Sequence, residues 1–289
     1  MSQKQSVAVI GLGAMGLPIA VNLSKAGFST QAWNRSAAPA EIAEKGGVSI
    51  CKEVSHIDAE VILVTLPDLP QLFEILDAGL RAALKPGQFI VIMSTTSPVE
   101  IVKFAQEMKT IGVNVIDAPM SGGELGAQNA SLSIMAGGEE SDFNAVKPVL
   151  DAIGKTILLM GPIGSGQLTK AANQIVVAIN LSAIGEAITL ARRAGLDANK
   201  VLEIFTGGLA NSAALELRRP KIEARDFPAG GKSKFLLKDL HFALEAAKSS
   251  ETELPMTALV TQLYAGLIEH GDGELDHSAI IREIERLND

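Results

Sequence analysis

Residues 7–20 read VAVIGLGAMGLPIA, a β-rich apolar run that turns through Gly11-Leu12-Gly13-Ala14-Met15-Gly16 and continues into helix-forming sequence. A strand that feeds a G-x-G-x-x-G turn opening a helix is the setting in which this spacing binds a dinucleotide. Gly11 permits the tight turn, Gly13 lets the backbone approach a diphosphate, and Gly16 allows close packing of helix on strand. The diphosphate charge then rests on the helix N-terminus, where unpaired N–H groups and the helix dipole favour an anion. The competing reading is that the glycines only shape a tight strand-to-helix turn.

The same rhythm continues outward. STQAW (29–33), VILVTL (61–66), FIVIM (89–93), VNVID (113–117), SLSIMA (131–136) and TILLM (156–160) join VAVI (7–10) as short β-rich runs. Between them, Ile42 and Ala43, then Leu72, Ile75, Leu76 and Leu80, then Ile101, Val102 and Ala105 recur at helical spacing. Continuous apolar strands joined by helices predict an α/β domain of Rossmann type, a doubly wound parallel sheet covered on both faces. After Gly166 the strands stop. A long helix is expected from about Gln167 to Ala194, closed by Gly195. Its apolar residues between Ile175 and Ala191 fall around almost the whole circumference, which predicts the central helix of an all-α C-terminal domain. Further helices are expected near 198–206, 211–225, 234–249, 255–270 and 277–287. This reading divides the chain into a dinucleotide-binding domain over 1–163 and an all-helical substrate and oligomerisation domain over 164–289.

The totals narrow the function classes. A length of 289 residues with 47% hydrophobic and 20% charged residues fits a folded protein with a substantial core. The net charge of -8 argues against nucleic acid, which needs a basic stripe. Cys51 is the single cysteine, so no internal disulfide can form and a reducing, cytoplasmic setting is expected. The histidines at 56, 241, 270 and 277 lack metal-ligand spacing, so no metal site is expected. Three glycines break the apolar N-terminal run, which argues against an export signal. Asn180, Ser182 and Glu186 interrupt the apolar run from Ile175, which argues against a membrane span.

The second strand ends in Trp33-Asn34-Arg35-Ser36. An NAD site usually carries an acid here for the ribose 2′-hydroxyl, and none is present. Asn34 removes the charge that would repel a 2′-phosphate, and Arg35 offers a guanidinium fork to bind one. One charge-assisted hydrogen bond contributes roughly 1.5–3 kcal/mol, enough to favour NADP(H) by about ten- to a hundredfold while still allowing NAD(H). Leu66-Pro67 follows a strand and should line the same cleft, at the carboxyl ends of the sheet.

Further motifs appear in order: Asp117-Ala118-Pro119-Met120-Ser121-Gly122-Gly123, then Gly164-Ser165-Gly166 with Lys170 and Asn173, then Lys238-Asp239-Leu240. With the glycine motif and its continuation Asn22-Leu23 and Lys25-Ala26-Gly27, the chain resembles the β-hydroxyacid dehydrogenase family over nearly its whole length. Within that family, residues 207–212 (GGLANS), 253–257 (ELPMT) and 276–278 (DHS) look most like the tartronate semialdehyde reductases. One departure stands out: many members carry two asparagines where this chain has Asn173-Gln174. The sulfolactaldehyde branch carries an arginine where Ser121-Gly122-Gly123 stand, and decarboxylating 6-phosphogluconate dehydrogenases carry a histidine in place of Asn173.

The resemblance implies hydride transfer between a nicotinamide and a carbon bearing a hydroxyl or carbonyl, with a small carboxylate as substrate. Lys170 is then the general acid and base, since its ammonium can stabilise an alkoxide and protonate it. Asn173, three residues on, shares its helix face and can hold the lysine or the substrate hydroxyl. The alternative for Lys170 is an edge lysine covering apolar surface with its stem. Ser121, Gly122 and Gly123 supply a hydroxyl and approachable N–H groups for the carboxylate. Thr95 matches a position that contacts the cofactor near its nicotinamide end, and Lys238 one that closes over the cofactor. The expected reaction is tartronate semialdehyde to D-glycerate, with 3-hydroxyisobutyrate, L-threonate or a related 3-hydroxyacid as the alternative. A non-catalytic cofactor-binding or assembly protein is the alternative from another class, and Lys170 counts against it as it does against imine reduction. The resemblance also implies a homodimer or homotetramer.

Overall fold

The first unit is built around short strands with buried apolar centres, such as VAVI (7–10) and VILV (61–64). The computed structural model describes residues 4–288, and the chain divides into two compact units, Met1–Lys170 and Ala171–Asp289. β1 (Ser6–Ile10), β2 (Ser29–Trp33), β3 (Ser49–Ile50), β4 (Val61–Val64), β5 (Phe89–Ile92) and β6 (Asn114–Asp117) pair in parallel in the order β3-β2-β1-β4-β5-β6. Alternate residues serve opposite layers. Val7, Val9, Leu63 and Val91 pack with Ile19 and Leu23 of α1 (Gly16–Lys25). Ala8, Ile10, Ile62 and Ile90 pack on the other face with Leu72 of α3 (Leu69–Ile75) and with Ile101 and Phe104. α2 (Ala37–Lys45) follows β2, and Ile42 in it is exposed where the periodicity placed it in the core, while Ala43 is buried. α3 passes through a π-turn at 76–80 into α4 (Arg81–Ala83), with Leu76 and Leu80 buried as expected. α5 (Pro98–Lys109) begins where the Ser97 hydroxyl accepts the Val99 and Glu100 N–H groups and Pro98 pre-sets the first turn.

The expected all-parallel sheet ends at β6. After it come β7 (Met120–Ser121), α6 (Gly123–Gln128), β8 (Leu132–Gly137), α7 (Glu140–Asp151) and β9 (Gly154–Gly161). β8 runs antiparallel to β6 and β7, and β9 runs parallel to β8. The physical reason is connection length. The connection after β6 holds β7 and only the six-residue α6, whereas the twelve-residue α7 carries the chain back along the sheet so that β9 returns parallel to β8. Leu158 and Met160 on β9 are exposed, so this edge is not covered on both faces.

α8 (Ser165–Arg193) begins two residues before the expected start and ends at Gly195, which adopts a positive φ of 78°. In the second unit follow α9 (Ala198–Thr206), α10 (Ala213–Ala224), α11 (Ser233–Ser249) and α12 (Pro255–Glu269). The last segment is a 3-10 turn at His277–Ala279 leading into α13 (Ile280–Arg286) rather than one helix. Ala178, Leu181, Ile184 and Ile188 of α8 form one buried stripe with Leu236, Leu240, Tyr264 and Ile281. The expectation of burial all round is corrected: Val176 is 68% and Leu190 72% exposed. By length and composition alone α8 could cross a membrane, but half of its apolar window is buried within the protein.

Candidate active site

In an open α/β sheet, ligands bind beyond the carboxyl ends of the strands where the order reverses, here between β1 and β4. The glycine loop leaves β1 at this point. Gly11 has φ 93°, and a Cβ on Gly16 would lie 1.9 Å from the Gly11 carbonyl oxygen, so both positions require glycine. A Cβ on Gly13 would meet nothing within 4 Å, which leaves that backbone open to a ligand. Leu12 is buried, Ala14 is exposed, and α1 starts after Met15 with no side-chain cap and no acid in its first turn. Such a helix end favours an anion and fits a diphosphate.

Three side chains shape the loop. The Asn34 amide oxygen accepts the Leu12 N–H at 2.8 Å, and its Nδ2 donates to the Ser36 carbonyl at 2.9 Å. Asn34 therefore braces the loop from β2, a role its position in the sequence did not reveal. The Thr65 hydroxyl donates to the Gly11 carbonyl at 2.6 Å. Asn22 on α1 donates to the Ala127 carbonyl of α6 at 2.8 Å. Arg35 is exposed and makes no ion pair or side-chain hydrogen bond among the described residues. It stands before α2, whose N-cap Ser36 makes no side-chain cap bond. Arginine, hydroxyl and helix end together suit a phosphate.

The ends of β4, β5 and β6 meet the start of α8 within the first unit. Leu66 donates its N–H to the Ser94 hydroxyl at 3.0 Å, with exposed Pro67 following. Thr95 is half-buried between Ser94 and Thr96, both buried. The Thr96 hydroxyl is buried without a hydrogen-bond partner among the described residues, a polar atom left for a ligand. Asp117, fully buried at the end of β6, accepts the Gly164 N–H and the Gln167 N–H, each at 2.7 Å. Burial pushes its carboxyl up to about 6, against the opposing pull of the backbone N–H groups of Gly164, Gln167, Asp117 and Gly166. A Cβ on Gly166 would stand 2.2 Å from the Met135 carbonyl oxygen and 2.7 Å from the Asp117 carboxylate. That explains the glycine beside the carboxylate. Three residues past Gln167, Lys170 is 8% exposed, so it is not an edge lysine with its head in bulk water.

Ser121 ends β7, and Gly122 and Gly123 follow with φ of 131° and 62° before α6. Both positions favour glycine, and a Cβ on Gly123 would meet nothing within 4 Å, which leaves its backbone approachable. In the second unit, Asn173 donates from Nδ2 to the Gln174 amide oxygen at 3.0 Å, and Gln174 donates to the Asp239 carboxylate at 2.8 Å. Lys238 lies 3.5 Å from that carboxylate and 4.9 Å from the centroid of the Phe242 ring. Asn173 and Lys238 are thus linked through Asp239 and Gln174, the latter being the residue that departs from the family pattern.

Comparison with known proteins places the chain in a family. Residues 6–161 match the NAD binding domain of 6-phosphogluconate dehydrogenase, and residues 164–284 match the NAD-binding domain of NADP-dependent 3-hydroxyisobutyrate dehydrogenase. The chain is 39% identical to 2-hydroxy-3-oxopropionate reductase of Escherichia coli (strain K12), over 96% of each chain. It is 34% identical to 2-(hydroxymethyl)glutarate dehydrogenase of Eubacterium barkeri, over 99% of this chain and 97% of that one. The crystal structure of 3-hydroxyisobutyrate dehydrogenase from Salmonella typhimurium superposes with a TM-score of 0.91 at 25% identity, covering 96% of this chain and 99% of that one. By these whole-length matches the chain belongs to the 3-hydroxyisobutyrate dehydrogenase-like β-hydroxyacid dehydrogenases, NAD(P)-dependent oxidoreductases acting on CH–OH groups.

Proposed function

We propose that the chain is an NADPH-preferring reductase converting tartronate semialdehyde (2-hydroxy-3-oxopropionate) to D-glycerate. The observation that carries the chemistry is Lys170, buried one turn beyond the N–H groups held by Asp117. A bound nicotinamide supplies the hydride in reduction and takes it up in oxidation. The Lys170 ammonium stabilises the alkoxide forming on the substrate and gives it a proton; in reverse it takes the hydroxyl proton. Asn173, its amide nitrogen engaged by Gln174, keeps its carbonyl oxygen as an acceptor for the lysine or the substrate hydroxyl. Ser121, Gly122 and Gly123 hold the substrate carboxylate. Exposed Arg35 binds the 2′-phosphate, and Thr95 contacts the cofactor.

The substrate choice is supported by the whole-length similarity to the Escherichia coli reductase. A second reading is oxidation of 3-hydroxyisobutyrate or L-threonate by the same groups, favoured by the likeness to the Salmonella typhimurium dehydrogenase. Nicotinamide absorbance in the presence of tartronate semialdehyde, with NADPH and NADH in parallel, separates them. Rapid NADPH oxidation is expected. Failure with both cofactors, together with turnover of a 3-hydroxyacid in the oxidising direction, would transfer the assignment to the second reading. The exposed Val176 and Leu190 of α8 further support assembly as a homodimer or homotetramer, which light scattering of the purified protein reads directly.

A further inference from the structure

Gln167 is 1% exposed, and its side-chain amide is spent entirely on one loop. Its Oε1 accepts the Thr96 N–H at 2.9 Å, and its Nε2 donates to the Ser94 carbonyl at 2.9 Å. The two bonds straddle Thr95. Its own backbone N–H is held by Asp117 at 2.7 Å, so the residue cannot shift along α8 without breaking that contact as well. The loop it clamps follows β5, which pairs in register with β4 next to the point where the strand order reverses. Ser94 in turn receives the Leu66 N–H from the end of β4. Lys170 stands three residues from Gln167 on the same helix face, within the same compact unit.

We propose that Gln167 is a positioning residue for hydride transfer. Its amide locks the Ser94–Thr96 loop, which floors the cofactor crevice, to the helix turn that carries the proton donor. A primary amide suits this task because one end accepts and the other donates, matching a backbone N–H and a backbone carbonyl two residues apart. Hydride transfer and protonation act on adjacent atoms, so the distance between cofactor floor and lysine must be kept to a fraction of an ångström. Displacement of about 1 Å by a residue away from the chemistry can cost about a hundredfold in rate. The inference rests on Lys170 as proton donor and on the crevice as the nicotinamide site, and is independent of which hydroxyacid is used.

The test compares Gln167→Glu, which keeps an acceptor for Thr96 but cannot donate to Ser94 when ionised, with Gln167→Met, which has neither function at similar length. Both are assayed with NADPH and with NADPH deuterated at the transferred C4 position. A fall in kcat of about ten- to a hundredfold is expected, larger for Met, with the affinity for NADPH changed less than about threefold. The deuterium isotope effect on kcat should rise, because the hydride step itself has slowed. A role in folding alone would lower Tm while leaving kcat per folded molecule and the isotope effect as they were, and that result overturns the proposal. The fluorescence lifetime of bound NADPH, read with no acceptor substrate, provides a second measurement. It should change in both variants, and an unchanged lifetime counts against the clamp even if tartronate semialdehyde is not the substrate. Wild-type failure to oxidise NADPH with that semialdehyde would reject the substrate reading only, and the lifetimes would still decide on Gln167.

Discussion

Asp117 in the first unit and Asp276 in the second are both buried carboxylates, and opposite partners hold them. Asp117 is met by backbone N–H groups at the start of α8 and makes no ion pair among the described residues. Asp276 lies 3.2 Å from Arg218 and 2.8 Å from Lys221, and also accepts the Ser278 hydroxyl and N–H. Burial pushes both carboxyls up. At Asp117 the dipolar donors only partly offset it, leaving the group at about 6. At Asp276 the Arg218 charge, with Lys221 and Ser278, outweighs burial and brings the group down to about 2. Asp276 ties together α10, the loop before α11 and the turn before α13, which is a packing task. Asp117 fixes the start of the helix that carries Lys170, which under the proposed function is a positioning task.

The comparison can be broken at several points. The largest effect is expected just beyond the Asp117 contacts: Lys170→Ala should lower kcat by about 10² to 10⁴ with cofactor affinity nearly unchanged. Full activity in that variant would remove the catalytic half of the contrast. Asp276→Asn leaves two cations facing a neutral amide and should cost about 3–5 kcal/mol in urea unfolding, with kcat per folded molecule retained. Asp117→Asn should cost less, about 1–3 kcal/mol, since it sets one buried N–H against an amide donor. Unlike Asp276→Asn, it should lower kcat. A neutral outcome for kcat there would mean that α8 does not depend on Asp117 for its position.

The pH dependence sharpens the same contrast. The folded value of Asp117, about 6, lies above its ordinary 3.8, so the fold takes up this proton before the unfolded chain does. Its contribution to stability therefore grows as pH falls from 6 towards 4 and is smallest above 6. Asp276 works the other way: its contribution is full above about 4 and is lost as pH falls through about 2. Replacing Asp117 by Asn should thus remove a falling slope of at most about 1.4 kcal/mol per pH unit between pH 4 and 6. Identical slopes in wild type and variant would show that Asp117 is not the group titrating there. At Arg35, replacement by Ala should raise KM for NADPH about ten- to a hundredfold, with little effect on stability, and leave NADH untouched. Parallel loss with both cofactors would take Arg35 off the 2′-phosphate.

Local chemistry was the legible part of this protein. The strands at 7–10 and 29–33, the helix at 198–206 and the stop at Gly195 follow from apolar runs, periodicity and a left-handed glycine, all of which act over a few residues. β3 and β7, two residues each, are too short to leave a pattern. The reversal of β8 depends on how far a six-residue helix can carry the chain, and the exposure of Val176 and Leu190 on which face of α8 finds a partner. In the site, Lys170, Arg35 and the glycine motif announce themselves by residue type and spacing. Asn34 was noted for lacking charge, whereas its amide is occupied in bracing Leu12. Gln167 is legible in the sequence only as the expected start of the long helix, and a glutamine among Gly164, Gly166 and Lys170 was the available signal for its clamp.

By itself the sequence determined a dinucleotide-binding α/β half, an all-helical half and the residues with the chemistry for hydride and proton transfer. These depend on side-chain type and on periods of two, three or four residues, which a chain carries in one dimension. Tertiary structure alone decided how the lysine is held. The bonds from Asp117 to Gly164 and Gln167 span 47 and 50 residues, and those from Gln167 to Thr96 and Ser94 span 71 and 73. No periodicity reaches so far, because each bond exists only once three strands have paired and their carboxyl ends have been brought to one edge of the sheet.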